Sequence, residues 1–137
     1  MADETSDPGA PVELPAMRWL DKPAHHDYGA ARSYLALNLG KKTVDRIVRR
    51  LAHTQVVRFK AKDILRASGL PLLPRDNADV AKQLERIAVG EALSPCLIVR
   101  GHLNKGWVAQ IADGYHRVCA SNYVDEDADI PVKIISL

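Results

Sequence analysis

Between residues 43 and 53 the apolar positions recur at a helical interval. Val44, Ile47, Val48 and Leu51 repeat at i, i+3, i+4 and i+7, which gathers them into one stripe and turns Asp45, Arg46, Arg49 and Arg50 to water. Thr43 stands where the cap of that helix is expected. A preceding helix is predicted with Asp27 as its cap, running to about Leu39 and closed by Gly40 in the left-handed position. From Gln55 the period changes. Val56, Val57 and Phe59 predict a short strand, and Asp63 to Ala67 a helical turn. Residues 68–77 (SGLPLLPRDN) read as loop because Pro71 and Pro74 interrupt them. Asn77 then caps a helix with Val80, Leu84, Ile87 and Ala88 on one face and Gly90 at its end.

Cys96 to Val99 is a continuous apolar strand behind Pro95. His102 to Gly106 predict a hairpin loop, and Trp107 to Ala112 the returning strand. A helix follows from Gly114 to about Tyr123, then a last strand from Ile130 to Ile135 with Pro131 at its start. The order helix-helix-β-α-α-β-β-α-β implies an α+β fold, a small mixed sheet with packed helices. Residues 1–15, rich in Pro, Ala and acids and without period, are expected to form a disordered tail. Residues 16–54 would be an N-terminal helical extension, and 55–137 the sheet domain.

Composition narrows the function. At 137 residues the chain suffices for one core without disulfides or metals. Aromatics make up 5%, so aliphatic packing must dominate, which argues against a base-stacking surface for single strands. The net charge of +2 does not suggest a dedicated polyanion binder. Charge is nonetheless uneven. Lys41, Lys42, Arg46, Arg49, Arg50, Arg58, Lys60, Lys62 and Arg66 crowd a stretch holding only Asp45 and Asp63 as acids, either a basic face or a solvated helix surface. Cys96 and Cys119 lie in apolar surroundings without metal-ligand spacing, so no metal site is expected. No signal peptide or membrane-length apolar run is present, and a reduced cytoplasmic location is the expectation.

The chemistry concentrates at Asp113-Gly114-Tyr115-His116-Arg117. An apolar strand ends there and a helix begins at once, so the first helical amides and the positive end of the dipole face outward as an anion site. Gly114 permits close backbone approach, His116 offers an imidazole, and Arg117 a fork suited to phosphate oxygens. The competing reading is that Asp113 caps the helix with its own carboxylate and so occupies those amides.

The stretches LSPCLIVRG (93–101), IADGYHRVCAS (111–121) and ADIPVKII (128–135) together resemble the ParB/sulfiredoxin superfamily. The resemblance covers roughly residues 55–136. It implies a nucleotide, ATP or CTP, with its phosphates at Gly114, Tyr115, His116 and Arg117, with Arg75 and Ser94 contributing from neighbouring loops and magnesium as a companion ion. It leaves the activity open. Sulfiredoxin chemistry needs a cysteine directly before the histidine of this turn, and Tyr115 stands there instead. ParB-like partition needs a DNA-reading domain after the nucleotide domain, and the sequence stops at Leu137. Three readings follow. The first is a nucleotide- or phosphate-binding domain. The second is a phosphotransferase or hydrolase with Asp113 or His116 as catalytic groups. The third is a DNA- or protein-interaction module using the basic helices. Oligomeric state is not readable.

Overall fold

A computed structural model describes residues 16–137. The tail expected over residues 1–15 lies outside the described residues. The chain forms β1 (Arg18–Trp19), α1 (His25–Leu35), α2 (Lys41–His53), β2 (Val57–Lys60), α3 (Ala61–Ser68), α4 (Ala78–Ala88), β3 (Ala92–Leu93), β4 (Cys96–Val99), β5 (Gln110–Asp113), α5 (Tyr115–Val124) and β6 (Asp129–Ile135). The fold is α+β with a mixed sheet. Its order is β2-β6-β4-β5, with β4 and β6 parallel in the centre and both outer pairs antiparallel. β1 and β3 make a separate two-residue parallel ladder that no sequence pattern announced.

The strands alternate between two cores because successive side chains leave a strand on opposite faces. Cys96 and Ile98 of β4, with Ile130 and Val132 of β6, enter the core beneath α3, α4 and α5. Leu97, Val99 and Ile135 enter a second core beneath α1 and α2. The uninterrupted apolar run Cys96–Val99 is thus a central strand covered on both faces. The helices before residue 54 are built into the same body: Ala31, Leu35, Ile47 and Leu51 share that second core with the sheet. Burying each such Leu or Ile side chain stabilises by about 1.5–3 kcal/mol. Lys133, also on this face, is buried with its ammonium 3.0 Å from the Ala52 carbonyl, where the last turn of α2 offers unpaired oxygens and partial negative charge.

The boundaries of the first two helices differ from expectation. α1 starts at His25 behind Ala24, so Asp27 is not the cap but the third helical residue, and its carboxylate accepts the Ala24 N–H at 2.8 Å. α1 ends at Leu35 and passes through turns to Leu39, because Gly40 adopts an extended conformation as the residue before α2 rather than a left-handed cap. Thr43 therefore sits inside the first turn of α2. The expected strand Trp107–Ala112 starts later and ends later, at Gln110–Asp113, with Trp107 joined to His102 by an isolated bridge. Asn77 caps α4 as its sequence position implied, accepting the Asp79 and Val80 amides.

Candidate functional site

β5 delivers Asp113 to the sheet end, and Gly114 turns the chain with φ of +108° into α5. The Asp113 carboxylate does not cap the helix. It accepts a 2.5 Å hydrogen bond from Nη2 of Arg117, one helical turn on, and among the described residues no side chain caps the amino end of α5. The Tyr115, His116 and Arg117 amides precede the first intrahelical bond, which Val118 donates to the Gly114 carbonyl.

Arg117 is turned into the protein and is 8% exposed. Its Nη1 donates to the Ser94 carbonyl at 2.7 Å, so Ser94 contributes its backbone here. Its Nη2 also lies 3.8 Å from Asp27 of α1, a buried carboxylate. Two carboxylates thus flank one guanidinium. Burial raises Asp113 from the ordinary carboxylate value of 3.8 to about 6, Arg117 opposing the rise and Asp27 adding to it.

Gly114 is required for packing. A Cβ built there would stand 2.6 Å from Cys96 Sγ, 2.9 Å from Cys96 Cβ and 3.2 Å from Arg117 Nη2. On that side the space beside Gly114, expected to admit a ligand, is filled by Cys96 and Arg117. Cys96 is fully buried, its thiol pushed up to about 11 by burial, and burial likewise raises Cys119.

His116 faces the other way. Its side chain is 40% exposed, and Nε2 stands 3.7 Å from Asp79 Oδ2 in the first turn of α4. Tyr115 lies beside it, ring centroids 5.5 Å apart, and its hydroxyl donates to the Pro71 carbonyl at 2.6 Å. Arg75 does not reach the turn. Its guanidinium lies 5.1 Å from the centre of the Tyr123 ring, and Tyr123 is eight residues beyond Tyr115, about 12 Å along the helix. Asp113, Gly114, Arg117 and Ser94 therefore converge, His116 and Tyr115 border them, and Arg75 stands apart. Among the described residues no three His, Cys, Asp or Glu side chains gather as a metal cage. A magnesium ion held by one exposed carboxylate, such as Asp79, and by phosphate oxygens would not need one.

Two members of this arrangement escaped the sequence. Asp27 read as a helix cap, and only the packing of α1 on the sheet brings it to Arg117. Cys96 read as a cysteine in apolar surroundings on a core strand, and nothing in its neighbours shows that it faces Gly114. The Asp113–Arg117 pair did carry a signal, since four residues separate them.

No family model, curated protein or solved structure matches the chain. No helix of the described residues is long and apolar enough to cross a membrane.

Proposed function

We propose that the amino end of α5 binds a phosphate-bearing ligand, a nucleotide such as ATP or CTP on the resemblance to the ParB/sulfiredoxin superfamily. One observation carries the reading. Asp113 is drawn to Arg117, which leaves the first amides of α5 without a side-chain cap among the described residues, beside the partly exposed His116. Arg117 then acts as an internal strut that keeps Asp113 away from those amides, and the ligand contacts come from the backbone and His116. In a phosphotransferase or hydrolase His116 is the better candidate for proton transfer, with Asp79 to orient it, because Asp113 is already engaged.

A thermal-shift panel of ATP, ADP, CTP and GTP with magnesium tests this. At least one should raise the midpoint, since a ligand at 100 times its Kd stabilises the folded state by about 2.7 kcal/mol. His116→Ala should reduce that shift while leaving the unliganded midpoint near the wild-type value, because the side chain is partly exposed. No shift with any nucleotide, or the same shift in His116→Ala, would sink the assignment.

A second reading rests on α2. Asp45 is taken by Arg32 and Lys41, and among the described residues no carboxylate pairs with the exposed Lys42, Arg46 or Arg49. Arg50 lies beside them on the exposed side. Four phosphate contacts from this face would give duplex binding a log–log salt slope of about −3.6. Replacing Arg46, Arg49 and Arg50 by Ala should reduce its magnitude by roughly 2.7. Duplex binding that the triple variant leaves untouched would exclude this face.

A further inference from the structure

A concavity lies away from the Asp113–Arg117 turn. It crosses the α3 face of the sheet at the carboxyl ends of the parallel pair β4 and β6, with a volume of about 480 Å³. Ile98 and Ile134 are among the residues that line it, with Ala67 of α3 and with Trp107 of the 100–109 hairpin. Cys96, which abuts Gly114, begins β4, and Arg100, which lines this cleft, follows its end, a separation of about 13 Å.

The cleft is preformed. The Ala109 amide donates to the Ala67 carbonyl at 3.0 Å and fixes the hairpin against α3. At Gly101 the strands of the hairpin are pinched so closely that a Cβ would stand 2.5 Å from the Trp107 carbonyl oxygen. The volume falls within the range of about 300–1,000 Å³ typical of small-molecule sites.

Its chemistry is apolar inside and cationic at the mouth. Trp107 is 49% exposed, and Leu103 at the hairpin tip 98%, apolar surface that the fold leaves in water. Arg100 is held from outside by a 2.9 Å bond from Nη1 to Ser136 Oγ, and its remaining side-chain donors have no acceptor among the described residues. Lys105 Nζ stands 4.6 Å from the centre of the Trp107 ring. Among the described residues the one carboxylate in the lining, Asp63, faces Arg66 at 3.4 Å. An apolar chamber with a single guanidinium fork complements an apolar body carrying one carboxylate.

We propose that this cleft binds an aromatic or aliphatic monocarboxylic acid, with its carboxylate on Arg100 and its apolar body over Ile98 and Ile134. The site is independent of the turn at Asp113, so it stands whether or not a nucleotide binds there.

The test is an amide-resolved NMR titration of the 137-residue chain with 2-naphthoate and, separately, with uncharged 2-naphthamide. Saturable shifts should centre on Ala67, Gly101, His102 and Ala109, with naphthoate about tenfold tighter than the amide. Arg100→Gln should bring the two affinities together by weakening the acid alone. Ala67→Phe, from an exposed helical position, should fill the cleft and abolish both. Arg100→Gln carries the test if that variant fails to fold. Shifts that do not saturate, that centre elsewhere, or that are equal for acid and amide in the wild type would overturn the proposal. So would ligand-free spectra that change on dilution at these residues, since a second copy would then cover the cleft.

Discussion

Gly114→Ala should lower stability by about 2–5 kcal/mol, a loss read directly as a fall in the urea midpoint at unchanged slope. Two terms add. A left-handed conformation at φ +108° costs an L-residue about 1–2 kcal/mol, and forcing a methyl into a filled core costs about 1–3 kcal/mol. The methyl would meet Cys96 Sγ at 2.6 Å, on a fully buried strand that cannot retreat without moving the centre of the sheet. Cys96→Ala in the same background should recover part of the loss. It removes the sulfur contact but leaves the 2.9 Å approach of Cβ and the backbone strain. Gly29→Ala supplies the contrast. Gly29 is exposed within α1 with none of the described residues near its missing Cβ, so there alanine should stabilise by about 0.5–1 kcal/mol. A Gly114→Ala protein as stable as the wild type would mean that Cys96 does not pack against the turn.

This local geometry marks where sequence reasoning reaches and where it stops. The α2 stripe and the apolar run of β4 were legible because each is periodic within one element, and the structure buries Val44, Ile47, Val48 and Leu51 together. The α+β class followed from the order of such elements. Contacts between elements distant in sequence were not legible. Asp27 and Arg117 are ninety residues apart, and their meeting depends on α1 lying across the strand that carries Asp113. Arg117 read as a phosphate ligand until the strand register placed Asp113, Ser94 and Cys96 around it. His116, its immediate neighbour, points outward because one step along a helix turns a side chain by about 100°. The residue most suited to phosphate by chemistry is therefore the one least free to meet it.

Arg117→Met should cost about 3–5 kcal/mol at neutral pH, because it removes the cation and leaves Asp113 and Asp27 facing each other in a poorly hydrated site. Methionine keeps much of the apolar stem, so the loss reads chiefly as uncompensated charge. The pH dependence separates this from simple loss of packing. In the wild type Asp113 titrates near 6, above its unfolded value of 3.8, so its contribution to stability is fully present below 3.8 and is lost as pH rises through 6. Without Arg117 to oppose it the folded value rises further, and the fall in stability on going from pH 5 to pH 7.5 should steepen. Asp113→Asn in the Arg117→Met background should restore part of the stability at pH 7.5 and flatten that fall, which a cavity alone would not do. Since Asp27 belongs to α1 and Asp113 to the turn, the same measurements decide whether Arg117 couples the amino-terminal helices to the candidate site. An Arg117→Met protein whose denaturant midpoint follows the wild type across this pH range would show that the guanidinium does not hold the two carboxylates together.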